Sequence, residues 1–353
     1  MRLKAKKVKI EIRKEVANNK KWHPILDIIS VLVFDKIHSF DSSKGFQLLQ
    51  SDWARSNRRN YDLVRLSTTV RSTDALTDAT LVIVDENSRR GGLATLAQNT
   101  TIIHPLDAIQ FLFTPFQVIL ENEEFDGAFL LWMAKALGFS KFNDAYRDRR
   151  FVFRHAGGKG SIKRSAIIFS HGVWSRKDQK HSRAFALWMC VVLDNDSKYP
   201  TNRPNNQIID DVRPHVAFVY ELKKRAIESY IPCEKLLKLD SSKSFYRKVK
   251  ALSGLTSIQK NHYHMKKGFS FSKDIEPNKK NFFSSELVTQ EEKELYNSID
   301  DLSWLELMNG FGTSLSKIYS EEKYRPEPND SQMTDFLGNE EILNLLKKIY
   351  SRI

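Results

Sequence analysis

The apolar run at residues 185–193, FALWMCVVL, constrains this chain more than any other stretch, because it carries no charged or hydroxyl side chain over the length of a β-strand. A strand with one face in water alternates polar and apolar residues, whereas an uninterrupted run is covered on both faces, as in a parallel sheet. The expected fold class is therefore α/β. The run leads directly into Asp194 and Asp196, and the carboxyl ends of strands are where open α/β sheets collect their ligands. Residues i and i+2 point to the same side of an extended segment, and in a turn they can converge on one cation. Hard oxygen donors of this kind suit Mg²⁺ or Mn²⁺. The competing reading is an Asp-Asn-Asp turn that only closes a structural strand, since Asp and Asn favour turns by bonding their own backbone.

A second acidic cluster lies at residues 114–138, TPFQVILENEEFDGAFLLWMAKALG. The pattern predicts a short strand over 116–120 that stops at Glu121, then an amphipathic helix. Its apolar positions, Phe125, Ala128, Phe129, Trp132, Met133, Ala136 and Leu137, have the three-and-four spacing of one buried face. Gly138 is a suitable helix stop. Glu121 thus falls at a strand-to-helix junction, where a carboxylate can face a metal or substrate. Of Glu121, Glu123, Glu124 and Asp126, two or three are accounted for by complementing the positive end of the helix dipole.

VILENEEFD and VVLDND together resemble the motifs of a TOPRIM domain, the metal-binding module of type IA and II topoisomerases, bacterial primases and OLD-family nucleases. Glu121 stands in the glutamate position and Asp194 and Asp196 in the D-x-D positions, with Asn122 where a glycine is usual. HAGGKGSIKRSAIIF, which follows a predicted strand at 151–153, is similar to the glycine turn and helix of OLD-like members. YELKKRAIESYI, residues 220–231, resembles a stretch of defence-type nucleases and implies a further carboxylate at Glu228. HYHMKKGFSFSK, residues 262–273, is similar to a lysine-containing segment of the same proteins, so that Lys266 or Lys267 would reach a scissile phosphate; the alternative is a basic loop. The resemblance covers residues 116–239. It implies metal ligands at Glu121, Asp194, Asp196 and Glu228, a catalytic set of Glu121, Asp194, Asp196 and Lys266, and phosphodiester hydrolysis with Mg²⁺ or Mn²⁺. PARIS-type anti-phage effectors work beside a separate ABC-type ATPase, and this chain has no Walker motif, so such a partner is implied as well.

The chemistry explains why these residue types belong together. Several carboxylates within a few ångströms repel one another and raise their own pKa values, a penalty that a divalent cation removes. Such an ion polarises a phosphodiester and lowers the pKa of an attacking water.

The charge distribution agrees with a nucleic-acid substrate. The chain carries a net charge of +13 with a pI near 9.5, and the excess is localised. Residues 141–183 hold 12 basic against 3 acidic side chains, and residues 223–280 hold 15 against 5, whereas residues 281–353 reverse the sign with 7 against 14. Two basic blocks flanking an acidic cluster suit a phosphate backbone lying across it, although lysine-rich faces also serve only as solvated surface. Gly157, Gly158 and Gly160 let backbone N–H groups approach an anion, and a helix starting near Ser161 would add its dipole. The alternative is a glycine turn that only leads into a surface helix; the TOPRIM resemblance implies phosphate contacts at Lys159, Lys163, Arg164, Lys223 and Lys224.

No stretch reaches the length of apolar sequence that crosses a bilayer, and the lysine-rich start lacks the apolar core of a signal peptide. Cys190 and Cys233 stand alone and far apart, which fits a reducing cytoplasm without disulfides or a zinc site. Val8, Ile10 and Ile12 alternate with charged residues and predict an edge strand. His262 and His264 are read as surface residues. A predicted strand at 79–84 runs into Asp85, Glu86 and Asn87 and is read as a structural strand with a loop rather than a second metal site.

The expected organisation is an α+β module at 1–115 that contacts a partner or substrate, a TOPRIM-like parallel sheet flanked by helices at 116–240, and a mainly helical region at 241–353. The expected function is a Mg²⁺-dependent nuclease acting on DNA or RNA in anti-phage defence. Two alternatives stay open: a non-catalytic nucleic-acid- or partner-binding subunit of a larger assembly, and a topoisomerase-like strand-transfer enzyme.

Overall fold

The computed structural model describes residues 8–35, 38–69, 81–88, 94–97, 100–171, 186, 188–270, 278–330 and 338–353, and among these described residues the strands form two sheets. The first sheet contains β1 (Lys9–Ile12), β2 (Ser39–Phe40), β3 (Leu81–Val84), β4 (Ala94–Ala97) and β5 (Thr100–Ile103) in the order β2-β1-β3-β5-β4. Every pairing is parallel except that of β4 with β5. The N-terminal region is therefore α/β rather than the α+β module expected from sequence. β1 is also an interior strand, not an edge. Alternation along a strand reports which face is polar and says nothing of its place in the sheet; here Glu11, on the face opposite Ile10 and Ile12, is itself buried and paired with Arg13 at 3.2 Å.

Helices α1 (Lys14–Asn18), α2 (His23–Phe34), α3 (Gly45–Leu49), α4 (Asp52–Ser56), α5 (Arg58–Thr69) and α6 (Pro105–Phe113) surround this sheet. Their starts have local causes: Ser51 caps α4 by accepting the Ala54 N–H, and His104 and Pro105 open α6. Beyond β3, Glu86 accepts hydrogen bonds from Asn19 and Trp22. That carboxylate anchors the loop after β3.

The second sheet is built from β6 (Phe116–Leu120), β7 (Phe151–His155), β8 (Met189–Leu193) and β9 (Phe218–Glu221), all parallel, in the order β7-β6-β8-β9. All five residues of β6 and all five of β8 are buried, so the continuous apolar run at β8 does mark a strand covered on both faces, while β6 carries one polar residue, Gln117, whose side chain accepts a hydrogen bond from Arg154. The β8 strand is shorter than the run that predicts it. Trp188 precedes it as a clamp between the sheets, with its indole N–H bonded to the Thr114 carbonyl and its ring against Phe111 and Phe116; residues 185 and 187 lie outside the described residues.

Alternate side chains of the second sheet feed two apolar clusters. Val118, Leu120, Cys190 and Val192 face a core that extends continuously from β1 to the last helix. Ile119, Met189, Val191 and Leu193 face a smaller one, completed by Ile162 and Ala166 of α9 (Lys159–His171) and Val212 of α10 (Asn206–Val212). Helices α7 (Glu123–Ala136) and α8 (Ser140–Arg147) close the first side. Burying one large apolar side chain contributes roughly 1.5–3 kcal/mol, so the edge-to-face and tilted aromatic cluster of Phe129, Trp132, Tyr230 and Tyr319 is a strong tie between α7 and the segments that follow β9.

The C-terminal region is helical: α11 (Cys233–Leu236), α12 (Lys243–Gly254), α13 (Ser257–His262), α14 (Lys279–Ser284), α15 (Gln290–Tyr296), α16 (Asp301–Leu307), α17 (Lys317–Ser320) and α18 (Asn339–Tyr350). The helix expected over 340–353 is α18, and its Ile342, Leu345, Leu346 and Ile349 form the buried stripe. No helix among the described residues is long and apolar enough to cross a membrane.

Candidate metal centre

The strand order places a crevice at the acidic residues. β6 comes first in the second sheet; the chain then passes to β7 on one side and to β8 on the other. At such a switch point the connections leave in opposite directions and open a cleft at the carboxyl ends of the two strands. Glu121 follows β6 and Asp194 follows β8, so both stand at that cleft.

On the β6 side, Asn122 occupies the position where a glycine is usual in the resembled motif. Its φ of −132° is ordinary extended backbone, and its side chain caps α7 by accepting the N–H groups of Glu124 and Phe125. The turn therefore needs no glycine. Glu123 accepts the His155 N–H at 3.1 Å and ties α7 to the end of β7, while Glu124 is exposed. Asp126 behaves differently. It falls in register with the buried stripe Phe129, Leu130 and Met133, accepts the Asn122 N–H at 2.9 Å, and lines a small cavity with Asp194, Leu120, Leu193 and Ile227. By sequence it counts only among the residues that complement the helix dipole. The signal that could have found it is its position three, four and seven residues before buried apolar side chains, a place that a carboxylate occupies only when something compensates its charge.

On the β8 side, the Asp194 carboxylate accepts the Ile227 N–H at 3.1 Å. Asp196 has a φ of 56°, a left-handed conformation uncommon for a residue with a Cβ, and its N–H donates to the Arg225 carbonyl at 2.8 Å. Ser197 is fully buried, with its hydroxyl 3.0 Å from Nδ1 of His262. The expectation that His262 is a surface residue is thus corrected: it is 8 % exposed and holds the aspartate turn against α13. His264 is half-buried, and burial lowers its imidazole to about 4. Asn205 braces the same turn, its Nδ2 donating to the carbonyls of Asp194 and Asn195 and to Glu221.

Glu228 arrives from the segment after β9. It is 0 % exposed, and its Oε2 has no hydrogen-bond donor among the described residues. The Lys266 ammonium stands 2.9 Å from Oε1. Tyr319 donates to the Ile227 carbonyl at 2.8 Å and fixes the backbone beside it. Lys266 is held in its turn by the close packing of Gly268 and Gly310, where a Cβ on Gly268, at φ 64°, would lie 2.3 Å from the Leu307 carbonyl oxygen.

The electrostatics are those of a crowded acidic pocket. Burial pushes the Asp194 carboxyl well above the usual range, and the neighbouring Asp126, Glu228 and Asp196 push it further. Burial also raises Asp126 to about 6, with Glu121 and Glu228 adding to the effect against the Asn122 hydrogen bond. Glu121 is raised by burial and Asp196, and pulled back by Lys159 and Lys266. For Lys266, burial opposes the charged form, yet Glu228, Asp194 and Asp126 outweigh it and raise the ammonium pKa. Five carboxylates from three segments thus act on one another.

The sequence-assigned cations divide into two groups. Lys159 turns inward from the glycine loop, where Gly157 and Gly158 take φ of 78° and 93°. Its Nζ pairs with Asp196 and donates to the Asp194 carbonyl and to Asn205 Oδ1. Lys224 is also not on the surface: it is 7 % exposed, its ammonium lies over the Tyr230 ring, and it donates to the Ser229 carbonyl. Burial lowers its pKa to about 7 despite Glu341. Its assignment as a phosphate contact is corrected on that ground, because a run of basic residues does not say which lysine faces in. Lys163, Arg164 and Lys223 lie at least partly on the surface, with Lys163 3.1 Å from Asp211. Residues 172–183 of the first basic block and 271–277 of the second lie outside the described residues.

The donors available for a cation, Glu121, Asp126, Asp194, Asp196 and Glu228, are all carboxylates, the chemistry that suits Mg²⁺ or Mn²⁺. Among the described residues no three His, Cys, Asp or Glu side chains are gathered into a ready chelating group; Lys159 and Lys266 stand against two of the five. The buried Glu228 Oε2 without a donor is what fits the chain to an added cation, since an orphaned buried carboxylate oxygen is costly. Compared with known proteins, the chain matches no family model, no curated protein and no solved structure.

Proposed function

We propose that this protein is a metal-dependent nuclease of TOPRIM type, with Glu121, Asp126, Asp194, Asp196 and Glu228 as the acidic centre. The observation that carries the reading is the placement of Glu121 and Asp194 at the switch point of a parallel sheet, with a buried, donor-less Glu228 oxygen on a carboxylate that raises the Asp194 pKa. Glu121, Asp194, Asp196 and Glu228 are the residues that would hold Mg²⁺ or Mn²⁺, with Asp126 behind them. A bound ion supplies polarisation of a phosphodiester oxygen and a nucleophile from water at neutral pH. The chain's own groups do the remaining work. Asn205, Ser197 and His262 hold the aspartate turn in its strained conformation. Lys159 and Lys266 neutralise carboxylates in the free protein and present ammonium groups to an entering phosphate. Arg164 and Lys223 flank the cleft and attract the backbone of the substrate. A role in anti-phage defence beside a separate ABC-type ATPase belongs to the same proposal, and its support is the resemblance in sequence alone.

The second reading is a nucleic-acid-binding module without catalysis. The observation in its favour is that Lys159 and Lys266 already compensate two carboxylates. Cleavage of DNA and RNA with Mg²⁺ or Mn²⁺ by the protein and by Asp194→Asn/Asp196→Asn separates the two. The nuclease reading expects cleavage by the first and none by the second, with binding in EDTA retained by both. Undiminished cleavage by the folded double variant removes these aspartates as ligands, and binding without cleavage in the wild type supports the module.

A further inference from the structure

The N-terminal α/β region presents a surface that the acidic centre does not use. Helix α5 is fixed on its inner side: Val64 is fully buried, and Asn60 donates to Asp27 at 2.9 Å, an acceptor shared with the Trp53 indole at 2.8 Å. With that side anchored, Arg58, Tyr61 and Arg65, spaced at i, i+3 and i+7, share one outward stripe. Their exposure agrees, with the Arg58 and Arg65 side chains 95 % and 60 % exposed and Tyr61 at 40 %. On the adjoining stripe, the Arg59 guanidinium lies 5.3 Å from the ring centroid of Phe34 at the end of α2. Phe34 is itself 59 % exposed.

Two features separate this face from ordinary solvated surface. Between Arg55 and Leu66 there are four arginines against one aspartate, and no lysine, in a chain otherwise rich in lysine. Asp62 pairs with Arg58 at 3.8 Å and with Arg65 at 3.9 Å, one carboxylate against four guanidinium groups. Arginine is the cation whose planar head both pairs with phosphate and stacks on rings. The second feature is the exposed Phe34, which forgoes over half of the roughly 1.5–3 kcal/mol that full burial contributes and carries the Arg59 guanidinium over its ring. Cations that track phosphates, interleaved with aromatic faces that stack bases, are the means by which proteins hold unpaired nucleic acid. A duplex hides its base faces and offers such rings nothing.

We propose that the outward face of α5, with Phe34 beside it, is a second nucleic-acid surface that takes single strands, through phosphate contacts from Arg58, Arg59 and Arg65 and base stacking on Phe34 and Tyr61. This surface does not depend on the metal centre, and the test keeps the two apart. Binding is measured in EDTA by fluorescence anisotropy, on the full chain carrying Asp194→Asn/Asp196→Asn so that no strand is cut. The probes are oligo-dT and oligo-U, on the order of the 4–16 nucleotides typical of such sites, and a duplex of equal length. Phe34→Ala/Tyr61→Ala, at two exposed positions, is expected to weaken single-strand binding at least tenfold and to leave the duplex unchanged. Arg58→Glu/Arg65→Glu is expected to reduce the salt slope for single strands by about 0.7 for each phosphate that the variant no longer neutralises. Weaker binding of both oligomers assigns the surface to bases and phosphates common to DNA and RNA, and weaker binding of one assigns it to that nucleic acid. Unchanged single-strand affinity in the aromatic variant, or an equal weakening on the duplex, overturns the inference; with binding to the wild type intact, the first of these assigns the face to a protein partner instead. Cleavage by the protein with native Asp194 and Asp196 reports on the metal centre alone.

Discussion

Asp126→Asn probes the acidic pocket most directly, because it removes one largely buried charge while keeping size and the capacity to accept the Asn122 N–H at 2.9 Å. In the folded, metal-free protein burial holds Asp126 at about 6 against an ordinary value of 3.8. A carboxyl raised in this way is protonated more readily in the folded state, so its contribution to stability is fully present below the unfolded pKa and is lost as pH rises through the folded one. The lost stability at pH 8 is about two pKa units, or about 3 kcal/mol at 1.36 kcal/mol per unit. At pH 5 the folded group is largely protonated and the same linkage gives about half that. The variant is therefore expected to be more stable than the wild type in EDTA, with the gain largest at pH 8. An unfolding entropy near 2 cal/mol/K per residue over a chain of this size makes the increment about 4 °C in Tm. Scanning calorimetry in EDTA at pH 5 and pH 8 reads it, and adding Mg²⁺ is expected to raise the wild-type Tm more than that of the variant. A variant no more stable than wild type at pH 8, or a gain of the same size at both pH values, would refute the picture of a charge-crowded pocket.

Two other outcomes follow from the same structure. Nucleic-acid affinity in EDTA is expected to fall steeply with salt and to show little sequence preference, because phosphate contacts dominate and each contributes about 0.7–0.9 to the slope of log K against log salt; a flat plot contradicts the assignment of the basic surface. Gly268→Ala is expected to destabilise the protein by about 1–3 kcal/mol, the usual cost of a strained backbone, since the residue sits at φ 64° with a Cβ position 2.3 Å from the Leu307 carbonyl oxygen. Chemical denaturation measures it, and a variant as stable as wild type shows that the turn carrying Lys266 is not locked by this packing.

The local periodicities were legible without the structure. Burial of a strand on both faces favours apolar residues at every position, so β8 announced itself, and β6 did so around one polar residue, Gln117, which stays buried by bonding to Arg154 and the Pro115 carbonyl; a helix with one buried face demands the three-and-four spacing seen in α7. The carboxylates at the ends of those strands could be picked out for the same reason: they interrupt the apolar pattern where a strand stops. Strand β8 nevertheless begins at Met189, because Trp188 is taken by the junction with β6 and α6, a contact between segments 74 residues apart that no local pattern encodes.

What tertiary structure alone decided is which of the charged residues meet. Asp126 and Glu124 are both acidic residues in the first turn of α7, yet one enters the pocket and the other faces water, because the helix is rotated by the packing of Phe129 and Met133 against the sheet. Lys223 and Lys224 are neighbours in sequence, and the ring of Tyr230 draws the second inward. β1 reads as an edge by alternation, and only the pairing of β2 and β3 on its two sides makes it central. Sequence determines the burial pattern of each element because that pattern is a property of one segment in water; the identity of the partner depends on contacts between segments distant in the chain, and these exist only once the fold has formed.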